Sequence, residues 1–296
     1  MKLTFFRGSV PNFGDELNTF MWDQLLPVGF LDDDERDLFL GIGSIIWDDL
    51  PKDARKHVIG SGYGGYTDVP NMHDGMWNVV WVRGPLTAQK LGLDPACAIT
   101  DAAVLLRAID LPPAPAKTGP AFMPHFESVP RGNWKRACEL AGITYLDPTS
   151  DAKQLIQQIK STTVLITEAM HGAIVADALR TPFIPVTPTH FSHRDKWLDW
   201  AMSVDLTLRP VNSLQSSLIE VYVKHTGLSG KGQKSKMLFD NAITAPVNNA
   251  ITHFAAKSLL KILKNNEPQQ SSDHIIESVT DKSLHTLNQF LKQQKK

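Results

Sequence analysis

Short apolar runs that end in glycine or a polar turn alternate along this chain with segments whose apolar residues recur every three or four positions. That alternation predicts strands followed by helices, the pattern of a parallel, doubly wound α/β sheet. Residues 3–6 are the first apolar run, closing in Arg7-Gly8. Residues 15–26 then carry Leu17, Phe20, Met21 and Leu25 on one helical face, with Asp15 and Glu16 where acidic side chains favour a first turn. LFLGIGSII (38–46), KHVIGSGY (56–63) and NVVWV (78–82) read as strands. Arg83-Gly84-Pro85 opens a helix to Leu91, with proline where a helix start tolerates it, and AITDAAVLL (98–106) reads as a strand that closes this set.

LPPAPAKTGP (111–120) holds four prolines in ten residues and marks a domain boundary. The pattern then restarts, with strands at 121–124 and 143–146 and helices at 134–141 and 151–160. The stretch TVLITEAMHGAIVADALRTPFIPVTP (163–188) repeats the theme. Val164, Leu165 and Ile166 predict a buried strand, a turn over 167–172 leads into a helix, Thr181-Pro182 stops it, and 183–186 starts another strand. Residues 205–211 can add one more. The expected domains are 1–112, 113–226 and a tail, 227–296. Two α/β halves joined by a proline-rich linker imply a cleft between them; one extended sheet is the alternative.

In the tail, residues 227–236 are rich in glycine, lysine and serine and read as flexible. Residues 251–263 place Ile251, Phe254, Ala255, Leu259, Ile262 and Leu263 on one stripe, with Lys257, Lys261 and Lys264 elsewhere. Such a helix packs on its own protein or lies on an anionic membrane surface. Residues 275–291 predict a last amphipathic helix, and the part beyond about residue 265 reads as separable from the fold.

Composition narrows the function classes. The 296 residues, 42% hydrophobic, suffice for two cores. With 30 basic and 31 acidic residues and no basic stripe, a nucleic-acid partner is not expected. Cys97 and Cys138 are isolated and read as buried thiols, not a disulfide framework or zinc site. No run of 18 apolar residues and no signal-like N-terminus is visible, so the chain reads as soluble and cytoplasmic.

Polar groups collect where strands end: Asn12, Asp15, Glu16, Ser44, Ser61 with Gly62, Arg83, Asp101, His125, and Glu168 with His171. That edge is where open α/β sheets bind ligands, and free amides at a helix start attract anions. Arg83 has the fork geometry for a carboxylate or phosphate. The glycine runs fit neither GxGxxG nor the Walker pattern. No metal-ligand spacing appears; the one close histidine pair, His190 and His193, falls in a loop.

NFGDELN (12–18), GIGS, GSGYGG, VRGPLTAQKLG (82–92), TDAAVLL (100–106) and TEAMHGAIVADALRTPFIPV (167–186) together resemble the polysaccharide pyruvyl transferase family. Within it they resemble most the exopolysaccharide ketal-forming branch, over about residues 1–210. The resemblance implies two Rossmann-like domains facing across a cleft, as in GT-B glycosyltransferases, with a helical C-terminal tail. It implies transfer of a carboxyvinyl unit from phosphoenolpyruvate onto two hydroxyls of a sugar, in a surface polysaccharide or its lipid-linked precursor. The product is a pyruvate ketal. Phosphoenolpyruvate is a co-substrate, and neither cofactor nor metal is implied. Catalytic roles fall to His171, Glu168 and Asp15, and donor binding to Arg83, His125, Gly172, Lys196, Ser61 and Gly62. The acceptor falls to Asn12, Glu16 and Trp197. The family's Arg-Leu-His-Gly block here reads Ala169-Met170-His171-Gly172, so its arginine is absent and another cation, Arg83 or else Lys196 or Arg194, must hold the donor. A lipid-linked acceptor would place the protein at the inner membrane face, touching it through the C-terminal helices. A nucleotide-sugar glycosyltransferase and a catalytically silent assembly scaffold are the competing readings.

Overall fold

The computed structural model describes residues 1–113, 115–189, 195–230 and 233–294. Its strands are β1 (Lys2–Thr4), β2 (Asp37–Leu40), β3 (Arg55–Ile59), β4 (Trp77–Trp81), β5 (Gly119–Met123), β6 (Thr144–Tyr145), β7 (Thr162–Thr167) and β8 (Phe183–Pro185). Its helices in the first half are α1 (Phe13–Glu16), α2 (Trp22–Leu25), α3 (Pro85–Lys90), α4 (Trp134–Ala141) and α5 (Ala152–Ser161). They continue with α6 (Met170–Ala178), α7 (Asp195–Ser203), α8 (Leu218–Thr226), α9 (Gln233–Phe239), α10 (Ala245–Asn265) and α11 (Asp273–Gln294). The fold is α/β, with two parallel four-stranded sheets.

Two compact units divide the chain. Unit 1 takes residues 1–113, 195–208 and everything from 271, and unit 2 takes 114–194 and 209–270. The first break falls in the proline-rich stretch. The tail does not stand apart: α9 and α10 belong to unit 2 and α11 to unit 1.

In unit 1 the sheet runs β1-β2-β3-β4, in sequence order. It never reverses direction, so the doubly wound expectation does not hold for this sheet. Side chains alternate across it. Leu38, Leu40 and Val58 share a core with Ala88 and Leu91 of the α3 region, whereas Phe39 and its register partner His57 face the other way. On that second face Trp22 of α2 meets Phe39 edge-on at 4.8 Å, and Phe290 of α11 lies 5.2 Å from His57. α11 also packs on β4 and on the 3-10 turn Ala102–Ala108, burying Ile276, Leu287, Phe290 and Leu291. The last helix of the chain is therefore part of the core of the first unit, not a separable tail.

Two local expectations are corrected here. Residues 15–26 are not one helix but α1, a 3-10 turn (Leu17–Thr19) and α2. Buried Asn18 bonds sideways, its Nδ2 donating to the carbonyls of Asp15 and Ile42 and its Oδ1 accepting from Ile42 N and Trp22 Nε1. Residues 98–106 are not a strand beyond the single bridge of Ala98 to Val82. The Asp101 carboxylate accepts from Ala103 N and caps the turn that follows, as a short acidic side chain does at a helix start.

In unit 2 the order is β6-β5-β7-β8. The winding reverses between β5 and β7, so this sheet is doubly wound. Phe122, Ile166 and Ile184 of the sheet pack with Trp134 and Cys138 of α4 and with Ala255, Leu259 and Ile262 of α10. Burying one leucine or isoleucine this fully contributes about 1.5–3 kcal/mol. The stripe expected at 251–263 thus faces its own core through those three residues. Residues 205–211 supply one bridge, Val211 to Val186, and no full strand. Part of the stretch expected to be flexible, 233–236, opens α9. Both thiols are free; Cys138 is buried and its pKa is pushed up to about 12 by burial, while half-buried Cys97 shifts the same way.

Candidate active site

The reversal of winding in unit 2 puts the carboxyl ends of β5 and β7 side by side, the position at which open α/β sheets hold ligands. His125 follows β5 and Glu168 follows β7. Glu168 is buried, and its two oxygens join three strand ends. Oε2 accepts the amide of His125 at 3.0 Å, and Oε1 accepts the amide of Thr189, beyond β8, at 2.7 Å. Its own amide donates to Met123 O at 2.9 Å. Thr167 folds the turn, with its hydroxyl accepting from Ala169 N and donating to Ala169 O.

His171 is the second residue of α6, half-buried, in a first turn whose N-cap Ala169 has no side-chain acceptor to offer. The amides there remain suited to an anion. Gly172 serves packing: a Cβ on it would stand 2.6 Å from Thr167 Oγ1 and 2.9 Å from Met123 Sδ, so a larger residue would push α6 off the strand ends. His125 caps the 3-10 turn Phe126–Ser128, its Nδ1 accepting from Glu127 N at 3.4 Å.

That turn leads to a cation the sequence reading passed over. Arg131 is buried; its Nη2 touches Glu127 Oε2 at 3.5 Å, and its Nε has no hydrogen-bond partner among the described residues. The signal was available: an arginine in the strand-end loop between β5 and α4. Glu220 was also missed. Fully buried on α8, it accepts from Trp134 Nε1 at 2.6 Å and from Ser216 N and Oγ at 2.7 and 2.9 Å. Burial first, and then the Glu168 charge, raise its pKa to about 7. Ser216 Oγ accepts from Asn133 N, and Ser217 Oγ donates to Arg131 O, so this cluster anchors the loop that carries Arg131.

Unit 1 gathers a second set of the expected residues at its own strand ends. Asn12 Nδ2 donates to Asp15 Oδ2 at 2.6 Å, and buried Asp15 lies beside Gly43, whose φ of 135° requires glycine. Glu16 is half-buried in α1. Ser61 and Arg83, both expected at the donor, make contacts within unit 1, and Arg83 Nη2 has no hydrogen-bond partner among the described residues. The Ser61 hydroxyl donates to the carbonyls of Leu40 and Gly41. Arg83 is 0% exposed, with Nε on Asp199 Oδ2 at 3.0 Å and Nη1 on Ser44 Oγ at 2.8 Å. Its guanidinium lies against Gly62, where a Cβ would be 2.1 Å from Cζ. Asp199 also accepts from Thr87 N and Oγ1, which fixes α7 to the start of α3. Trp197, expected to stack on a sugar, is 4% exposed on α7. Lys196 is half-buried in the first turn of α7. His190, His193 and Arg194 lie outside the described residues. Among the described residues no group of three or more His, Cys, Asp and Glu side chains is placed to hold a metal.

A profile of the family described as polysaccharide pyruvyl transferase matches residues 12–190, which takes in both sets of strand ends. The chain belongs to that family. It is also 38% identical over 241 residues to the succinoglycan biosynthesis protein ExoV of Rhizobium meliloti (strain 1021), covering 80% of this chain and 75% of that protein. No solved structure matches. The family carries a transferase activity and a role in exopolysaccharide biosynthesis, so the chain is a polysaccharide pyruvyl transferase enzyme. Among the described residues no helix is long and apolar enough to cross a membrane.

Proposed function

We propose that this enzyme moves the carboxyvinyl unit of phosphoenolpyruvate onto two hydroxyls of one sugar, in an exopolysaccharide or its lipid-linked precursor. The observation that carries the reading is the Glu168–His125 link at the winding reversal, with His171 in the next helical turn. The reaction protonates the methylene carbon and gives cationic character to the central carbon. One sugar oxygen attacks there, phosphate leaves, and the second oxygen closes the ketal. Of the two hydroxyl protons, one replaces the proton consumed in forming the methyl group and the other leaves with phosphate.

His171 and Glu168 carry proton transfer in this proposal, since both stand at the strand ends. His125, the α6 amides and Arg131 hold the donor's anionic groups, and Arg131 takes the place of the family arginine missing at Ala169. Asn12, Asp15 and Glu16 serve the acceptor. The finer architecture belongs to the proposal as well: a GT-B-like pair of Rossmann-like domains, supported by one parallel sheet in each unit. A cytoplasmic place at the inner membrane face belongs to it too.

The test incubates the full chain with phosphoenolpyruvate and succinoglycan oligosaccharides freed of pyruvate, the acceptor suggested by the relative's name. Phosphate release matched one-to-one by acid-labile pyruvate on the saccharide is the expected result. His171→Ala should lower the rate by about 10²–10⁴-fold with an unchanged melt. Arg131→Ala should raise KM for phosphoenolpyruvate more than Arg131→Lys does. A thermal shift and sugar transfer with a nucleotide sugar, and none with phosphoenolpyruvate, would replace this reading with glycosyl transfer.

A further inference from the structure

The α9–α10 corner of unit 2 is built inside-out. Three of its polar side chains bond back to nearby backbone: Asn241 Nδ2 donates to Met237 O at 2.8 Å, and its Oδ1 accepts from Ile243 N and Thr244 N. Thr244 Oγ1 and Asn248 Nδ2 both donate to Phe239 O, and Asn248 Oδ1 accepts from Leu218 N. Its apolar side chains turn outward instead. Ile243 at the tip is 90% exposed, with Met237 at 74%, Leu238 at 65% and Val247 at 50%. The corner is held to α8 by the Tyr222–Phe239 ring pair at 5.1 Å, so it is an ordered element and not loose chain.

Ordered loops on protein surfaces normally satisfy their backbone internally and show polar atoms to water. Here side-chain amides and a hydroxyl are spent on the corner's own backbone while four of its large apolar side chains stay exposed, which favours an apolar medium outside them. The charges nearby identify it. Lys224, Lys234 and Lys236 are exposed, and from residue 221 to 266 the sole acidic residue in the sequence is Asp240. Protruding apolar side chains flanked by lysines suit the headgroup and acyl boundary of an anionic bilayer.

We propose that the α9–α10 corner inserts Met237, Leu238, Ile243 and Val247 into an anionic membrane surface, with Lys234 and Lys236 against the lipid headgroups. The stripe expected to do this, at 251–263, has Ala255, Leu259 and Ile262 buried in unit 2, and the surface lies one turn earlier in the chain. The inference deepens the membrane-face part of the proposed function and does not depend on the chemistry. Vesicle binding reads the surface, while turnover of a soluble saccharide reads the reaction.

The experiment is co-sedimentation of the full chain with vesicles of phosphatidylcholine, alone and with about one quarter phosphatidylglycerol. Wild type should pellet with the anionic vesicles, less so as salt rises, and stay in solution with phosphatidylcholine alone. Leu238→Asp with Ile243→Asp should weaken binding at least about tenfold, and Lys234→Gln with Lys236→Gln several-fold. Both pairs should keep the wild-type melt and the wild-type rate on soluble acceptor. Absent binding of wild type, or undiminished binding of the aspartate pair, would overturn the proposal. So would a concentration-dependent dimer lost in Ile243→Asp without any vesicle binding, which would assign the corner to a second copy of the chain.

Discussion

Glu168 accepts the backbone amide of His125 at 3.0 Å, tying together the ends of two neighbouring parallel strands whose chain paths wind in opposite directions. The same carboxylate takes the Thr189 amide on its other oxygen. One side chain thus sets the spacing of three strand ends while bonded to the backbone of His125, a residue that the proposed chemistry uses.

Glu168→Gln separates those jobs. An amide can keep one of the two backbone bonds but presents a donor to the other, and it cannot act as acid or base. We expect kcat to fall by about 10²–10⁴-fold and the melting temperature to drop by several degrees, checked by initial rates and calorimetry on the same preparation. A melt shift with an unchanged kcat would leave Glu168 a purely positioning group.

Arg83 and Asp199 form an ion pair with side chains 0% and 3% exposed. Removing one partner of such a pair leaves an uncompensated buried charge, at about 3–5 kcal/mol. Arg83→Ala should therefore lower stability by roughly that amount, and Asp199→Ala by a similar amount, in urea titrations. The apparent affinity for phosphoenolpyruvate in folded Arg83→Ala should stay within about twofold of wild type. A large loss of affinity at constant stability would return Arg83 to the donor site.

The two units should respond to pH in opposite senses. Glu220 in unit 2 holds its proton up to about pH 7, whereas the unfolded carboxyl releases it near 4.5. Its contribution is fully present below 4.5 and is lost as pH rises to about 7, roughly 3 kcal/mol over that window. His57 in unit 1 is shifted down from 6.5 by burial, against the pull of Asp37. Below 6.5 the unfolded chain takes a proton that the folded histidine refuses, so stability is lost as pH falls. Melts across this range should show Glu220→Gln flattening the loss toward neutral pH and His57→Gln flattening the loss toward acid.

Deleting α11 from residue 273 onward should unfold unit 1. Ile276, Leu287, Phe290 and Leu291 are all buried, and at about 1.5–3 kcal/mol each their sum is comparable to the ~5–15 kcal/mol that holds a whole domain. Tryptophan emission from Trp22 and Trp81 should shift to the red in the truncated chain. A cooperative melt at the wild-type temperature would show that unit 1 stands without α11.

Most elements of unit 2 were legible because local signals agree there. Asp151 accepts from Gln154 N and caps α5, Gly142 takes the left-handed conformation after α4, and Pro182 ends the α6 segment before β8. His171 and Glu168 could be placed at a strand end from the run TVLITEAMHG alone. What could not be read was how side chains distant in sequence meet. Arg83 looks like a free fork until Asp199, 116 residues later, turns up beside it. Trp197 looks like a platform until folding buries it to 4% exposure. Asn18 splits a well-patterned helix through bonds to Ile42. Strand order is likewise invisible to periodicity, which cannot say that one sheet reverses and the other does not.

The place of α11 also separates the order of synthesis from the order of closure. His57 and the Phe290 ring that covers it are far apart in the chain, and at about 5–20 residues per second roughly ten to fifty seconds pass between the making of one and of the other. All of unit 2 is made in that interval. Domains usually mature from the N-terminus onward. Here the later unit can finish first, while the Phe39–His57 face of the earlier one stays bare until its closing helix arrives.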